Sequence, residues 1–163
     1  MSINNACAVI FDRDGTLVVD VPYNGDPQLV EPLANAREAL DRLRREGLPL
    51  AVVSNQSGVA RGFIDEDQVR AVNARVDELL GPFVVWLYCP HGPNDGCECR
   101  KPQPKLIRDA ALAMNVDVRC CVVIGDKDTD IEAARNAGAA GIKIDRTRTL
   151  SDAVDEIVAM RRC

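Results

Sequence analysis

The sequence has little of what would betray a polyanion binder or a membrane protein. Basic residues form no run or stripe: 20 Lys and Arg stand against 25 Asp and Glu, a formal net charge of −5. Affinity for nucleic acid comes mainly from Lys and Arg placed on phosphates, so no nucleic-acid partner is expected. Apolar runs are short, of strand length, as at Val84–Tyr88. A membrane-spanning helix needs roughly 20 such residues, so no membrane role is expected either. The first residues hold no basic segment followed by an apolar core, hence no secretory signal, and the expected address is cytoplasmic. No internal repeat, low-complexity tract or linker is present. Residues 1–163 are therefore expected to form a single domain, working as a monomer or weak oligomer. Histidine is nearly absent, with His91 alone, whereas cysteine is plentiful at 7. An odd cysteine count without a secretory signal argues against a disulfide framework.

What is present alternates. Short β-branched runs occur at Cys7–Phe11, Leu48–Val53, Val84–Tyr88, Cys120–Ile124 and Gly141–Ile144. Between them lie helical spacings: Leu33, Ala36, Leu40 and Leu43 up to Gly47, and then Val69, Val72, Val76 and Leu79. The second helix opens on Asp65 with Gln68 three residues later, a capping-box pattern. Leu106, Ala110 and Ala113 follow Pro104; Ile131, Ala134 and Arg135 lead to Gly138; Val154, Ile157 and Val158 follow Ser151. This alternation predicts an α/β fold, a Rossmann-like parallel sheet with helices on both faces. Chemistry in such sheets lies at the carboxyl ends of the strands. The polar residues after the runs obey that rule: Asp12 and Asp14, Ser54 and Asn55, Cys89 and His91, and Asp126. Cys7, Cys120 and Cys121, in or beside apolar runs, read as small hydrophobes, and Cys163 as a bystander.

Asp12 and Asp14 leave the first strand into a turn at Gly15, and Asp126 leaves the fourth. Converging carboxylates repel unless a hard cation lies between them, which suits Mg²⁺. Ser54 adds a hydroxyl and Lys101 a positive charge. Acids, a metal site, a hydroxyl and a lysine together suit phosphoryl transfer, where positioning and charge neutralisation dominate.

The ordered set Asp12-Arg13-Asp14-Gly15-Thr16, Ser54-Asn55, Lys101 and Gly125-Asp126-x-x-x-Asp130 resembles the four motifs of the haloacid dehalogenase (HAD) superfamily. The resemblance implies a HAD-like phosphatase. Asp12 would be the nucleophile that forms an aspartyl-phosphate, and Asp14 the acid and then the base. Asp12, the backbone carbonyl of Asp14 and the carboxylate of Asp126 would bind Mg²⁺. Ser54 and Lys101 would hold phosphoryl oxygens, with Asp130 behind them and Lys127 steadying the metal carboxylates. A response-regulator receiver domain also clusters Asp, Ser or Thr and Lys, but lacks the Asp-x-Asp-Gly-Thr turn. A zinc-stabilised binding module with a dead site is opposed by the intact acids, and a DNA 3′-phosphatase by the missing basic groove.

Cys89, His91, Cys97 and Cys99 form Cys-x-His-x5-Cys-x-Cys, two close pairs across a loop rich in Gly and Pro. Four soft ligands suit a closed tetrahedral Zn²⁺ site of structural type. Cys99 precedes Arg100 and Lys101, so the metal would aim those charges. Within the superfamily, this loop followed by Cys99–Pro102 resembles the branch of heptose-1,7-bisphosphate 7-phosphatases and histidinol-phosphatases. The block Ser54–Gly62, with Asn55, Gln56 and Ser57, resembles the heptose enzymes more closely, as does Asp20–Tyr23, where Asp20 and Tyr23 would meet substrate. The short zinc loop is nearer the histidinol-phosphatases. A small phosphorylated metabolite, first a heptose bisphosphate, is the implied substrate.

The span from Leu17 to Ser54 leaves no room for a large cap beside its helix, so the site is expected to be open. Arg100, with its planar fork, would suit a second phosphate or sugar hydroxyls. Arg61 is a weaker candidate. Arg13, between two acids in an extended chain, is expected to point away from them.

Overall fold

The computed structural model describes residues 6–161; Cys163 lies outside them. Five parallel strands, β1 (Ala8–Phe11), β2 (Leu50–Asn55), β3 (Val85–Cys89), β4 (Cys121–Gly125) and β5 (Ala140–Lys143), form one sheet in the order β3-β2-β1-β4-β5. Five α-helices alternate with them: α1 (Ala36–Arg45), α2 (Glu66–Leu80), α3 (Lys105–Ala113), α4 (Asp128–Ala137) and α5 (Leu150–Arg161). None of the described helices is long and apolar enough to cross a membrane.

The central strands are apolar on both faces, with period-two partition of their side chains. Val9, Phe11, Leu50, Val52, Val122 and Ile124 pack in one cluster with residues of α1, α5 and the end of α2. Ala8, Ile10, Ala51, Val53, Cys121 and Val123 pack in another with α3 and α4. The second face meets Ala110, Ala111, Ala133, Ala134 and Ala137, small residues that let helices sit close to the sheet. Cys121 is buried there as a small apolar side chain, as expected. Cys7, however, is exposed and Cys120 only half-buried, its Sγ donating to the Asp117 carbonyl at 3.0 Å, because both precede the buried part of their strands.

The expected element edges shift where local chemistry intervenes. β2 begins at Leu50 rather than Leu48, and before it the Pro49 carbonyl accepts from the Val9 N–H. α1 begins at Ala36 rather than Leu33, because Asn35 turns left-handed at φ 61°, a conformation Asn tolerates better than most residues. α5 starts one residue before Ser151: the Asp152 carboxylate accepts from the N–H and hydroxyl of Thr149. The expected Asp65–Gln68 capping box is present, each side chain bonding the other's backbone N–H. Between β1 and β2 lie a 3₁₀ turn (Pro27–Leu29) and α1, with no large inserted cap.

The chain moves outward from β1 through β2 to β3, then returns to add β4 on the other side of β1. The reversal opens a crevice between the carboxyl ends of β1 and β4, the usual ligand position in such sheets.

Candidate active site

Asp12 follows β1 directly, and its N–H continues the β1–β4 ladder to the Ile124 carbonyl at 2.9 Å. This pairing sets Asp12 beside the end of β4. Asp126 follows that end, and Asp130 turns back from the first turn of α4, where its carboxylate accepts from the Lys127 N–H at 3.0 Å. One carboxylate oxygen each of Asp12, Asp126 and Asp130 falls within 4.8 Å of the others. Gly15 makes this convergence possible. It sits at φ +81°, and a Cβ there would stand 2.5 Å from an Asp126 carboxylate oxygen.

Lys101 reaches into the acids. Its ammonium has three protons and three partners: Asp12 Oδ1 at 2.7 Å, Asp130 Oδ1 at 2.6 Å and the Val53 carbonyl at 3.0 Å. Burial alone would drive this lysine towards the neutral form. Asp12 and Asp130 outweigh that and hold its pKa above the ordinary value. Burial pushes the Asp12 carboxyl up to about 6, against the pull of Lys101 and with help from Asp130 and Asp14. Three convergent carboxylates with one ammonium between two of them form an oxygen-rich, electron-rich donor set. Such a set fits a hard divalent cation.

The Asp14 carboxylate stands outside that trio. Its oxygens accept from Arg13 Nε at 3.0 Å and Arg13 Nη2 at 2.9 Å, and from Gln56 Nε2 at 3.0 Å. Arg13 therefore differs from its expected orientation. It avoids the cavity, but the turn into Gly15 ends the extended geometry and its guanidinium folds back onto Asp14. Gln56 also donates to Ser54 Oγ at 3.2 Å, linking the hydroxyl to the second acid. Asn55 does not present its amide to the cavity alone: it donates to the Lys101 carbonyl and accepts from the Lys101 N–H, pinning that segment to β2.

A cavity of ≈ 770 Å³ is lined in part by Asp14, Asp20, Tyr23, Asn55, Gln56, Ser57, Arg100 and Lys101. A recess of ≈ 30 Å³ shares Asp14, Asn55 and Lys101 with it and adds Asp12 and Asp130. Asp20 pairs at 3.7 Å with Lys127, both half exposed. Tyr23 is held by edge-to-face contact with Phe63 at 4.9 Å, with Arg61 over its ring. The fold thus gathers every candidate acid, hydroxyl, lysine and substrate contact at one edge. The sequence reading misses Asn73, whose buried Oδ1 accepts from Arg13 Nη1 at 2.7 Å, although a polar residue among Val69, Val72 and Val76 on the apolar stripe of α2 is a visible signal.

The Cys/His loop closes on itself. Cys89 Sγ lies 3.5 Å from His91 Nδ1 and 3.6 Å from Cys97 Sγ, and His91 Nδ1 lies 3.3 Å from Cys99 Sγ. A tetrahedron with Zn–S bonds of about 2.3 Å has edges of about 3.8 Å, so the four ligand atoms fit zinc closely. Burial first, then hydrogen bonding with Cys99, pushes the Cys89 thiol up to about 12. Arg100 Nη1 donates to the His91 carbonyl at 3.2 Å, coupling the loop to the cavity.

A HAD-hydrolase-like family model matches residues 98–159, the part that carries Lys101, Asp126 and Asp130. The D-glycero-beta-D-manno-heptose-1,7-bisphosphate 7-phosphatase of Pseudomonas aeruginosa is 40% identical over 132 residues, 78% of this chain and 74% of that protein. The chain belongs to the HAD-like phosphatases. The phosphatase is also 33% identical to the Pseudomonas putida enzyme of the same name over 160 residues, 91% of this chain and 89% of the relative. Among solved structures, D,D-heptose 1,7-bisphosphate phosphatase from B. bronchiseptica, complexed with magnesium and phosphate, matches with a TM-score of 0.82. Its identity is 27%, covering 93% of this chain and 98% of that one.

Proposed function

We propose that this phosphatase removes the 7-phosphate of D-glycero-D-manno-heptose 1,7-bisphosphate through an aspartyl-phosphate on Asp12. The observation that carries the reading is the similarity to heptose bisphosphate phosphatases along 91% of the chain. The convergence of Asp12, Asp126, Asp130 and Lys101 supports the chemistry.

Asp12, the backbone carbonyl of Asp14 and the carboxylate of Asp126 would hold Mg²⁺, which when bound supplies positive charge to the phosphoryl oxygens and keeps Asp12 ionised. A carboxylate oxygen of Asp12 attacks phosphorus as the bond to the leaving oxygen breaks. Protonated Asp14 gives its proton to that oxygen. Asp14, now a carboxylate, takes a proton from water as the water oxygen attacks the acyl phosphate, releasing phosphate and restoring Asp12. The Ser54 hydroxyl and the Lys101 ammonium donate to phosphoryl oxygens, Lys101 by exchanging one of its three present partners for the phosphate. Arg100, Asp20, Tyr23, Asn55, Gln56 and Ser57 bound the space for the sugar and its second phosphate, with Arg100 aimed by a structural Zn²⁺ on Cys89, His91, Cys97 and Cys99. The protein works in the cytoplasm as a single domain, monomeric or weakly oligomeric.

The test is phosphate release, with Mg²⁺ present, from heptose 1,7-bisphosphate and histidinol phosphate side by side. A strong preference for the bisphosphate is expected. A preference for histidinol phosphate would overturn the substrate, and retained activity in Asp12→Asn would overturn the mechanism.

A further inference from the structure

Arg13 is the largest fully buried side chain among the described residues, 1% exposed, although it carries a full positive charge. Space filling does not account for it. Replacing a buried ion pair by apolar groups of similar volume is often neutral or stabilising, so a guanidinium kept in such a place calls for another role. Its five N–H groups are disposed in a definite way. Nε and Nη2 face the two oxygens of Asp14 as a parallel fork, and Nη1 donates to Asn73 Oδ1 at 2.7 Å across 60 positions of sequence. Asn73 is itself buried, on the stripe of α2 that otherwise presents Val69, Val72 and Val76.

We infer that Arg13, anchored by Asn73, is the positioning residue for the acid–base Asp14; this rests on the reading of Asp14 as acid and base given above. A lone aspartate on a loop would sample several rotamers. A planar fork permits few, because both oxygens must lie in the plane of the guanidinium. The third point, at Asn73, ties that plane to α2, so the orientation of the acid is referred to the rigid body of the fold. A carboxylate has about four acceptor positions. Arg13 takes two and Gln56 one, which leaves a single position, on Oδ1, for the proton that travels to and from substrate. The clamp thereby selects which oxygen acts. Misplacement of a reacting group by about 1 Å costs on the order of 10²-fold in rate, so the contribution is large enough to measure.

The experiment uses substituted phenyl phosphates, from 4-nitrophenyl to unsubstituted phenyl phosphate, with Mg²⁺, and reads kcat/KM, which reports the step in which the leaving oxygen departs. Nitrophenolate leaves without a proton, whereas a poorer leaving group needs one. Arg13→Lys keeps a charge in the pocket but loses the fork, and Asn73→Ser loses the anchor. Both are expected to lower kcat/KM for phenyl phosphate about tenfold and for 4-nitrophenyl phosphate less than about twofold, a fraction of the full general-acid effect. Asn73→Asp, which keeps an acceptor for Nη1, should restore the wild-type dependence. Asp14→Asn is the reference. If it steepens the leaving-group dependence while both folded variants keep the wild-type dependence, the clamp is overturned and the acid stands. If Asp14→Asn leaves the dependence unchanged, the acid reading itself falls. A purely structural role would lower all substrates equally.

Discussion

As the proposed nucleophile Asp12 would have to be ionised, yet it is 5% exposed and burial pushes its carboxyl up to about 6. A shift of that size costs the metal-free fold on the order of 3 kcal/mol at pH 7, because folding favours the protonated form. Asp12→Asn removes the charge and keeps an oxygen for Lys101. It should therefore abolish turnover while the metal-free protein melts at or above the wild-type temperature. Lys101→Met should behave oppositely. It strands Asp12 and Asp130 without their shared cation, and breaking a buried pair in this way costs about 3–5 kcal/mol. Thermal melts of the two variants without divalent metal check both; a Lys101→Met protein as stable as wild type would refute the account of the pair. The sequence placed Asp12 and Asp126 after strands that end on one edge of the sheet, whereas Lys101, in a loop, and Asp130, within α4, were joined to them only by the resemblance to the HAD motifs. It did not show the partners of Arg13. The contact to Asn73 joins a loop to the middle of a helix, and no local pattern encodes which polar atom will face a buried guanidinium.

At the level of elements, the strands were readable because central strands of a parallel sheet are apolar on both faces, and β-branched runs of that kind stand out. Helix α2 was readable from its cap. The edges were less so: Pro49, Asn35 and Thr149 each moved a boundary through backbone geometry or a cap that hydrophobic spacing does not register. The gathering of Cys89, His91, Cys97 and Cys99 was readable from their spacing, and the zinc proposed for them can be tested at the level of this loop. Metal analysis should find one zinc per chain. Cys97→Ser should lose it, because three ligands no longer close the tetrahedron. The His91 carbonyl that receives Arg100 would then lose its fixed place. The expected kinetic signature is a rise in KM for the natural substrate, with a smaller change for 4-nitrophenyl phosphate, which has no second group for Arg100 to hold. An equal loss for both substrates would place the loop's influence on Asp12 and Lys101 instead.

On the scale of the whole molecule, the acid cluster links folding, metal and pH. The charged and titratable groups facing Asp12 are Lys101, Asp130, Asp14, Asp126 and Lys127. For Asp12 the folded-state pKa is raised from 3.8 to about 6. Its contribution to metal-free stability is thus fully present below pH 3.8 and is lost as pH rises through about 6. Mg²⁺ binds only the deprotonated carboxylates, so its effect must run the other way, small at pH 5 and large at pH 8. A ligand at 100 times its dissociation constant stabilises a protein by about 2.7 kcal/mol. In a chain of this length that corresponds to a rise in melting temperature of roughly 5–11 °C. Scanning calorimetry with and without Mg²⁺ at pH 5 and pH 8 should show a rise of this order at pH 8 and little at pH 5. Asp12→Asn, which has lost a ligand and the titrating group together, should show a weak, pH-independent response. Equal Mg²⁺ effects at both pH values in the wild type would mean that the ion is held elsewhere than on Asp12, and the arrangement of acids at the β1–β4 crevice would then need another occupant.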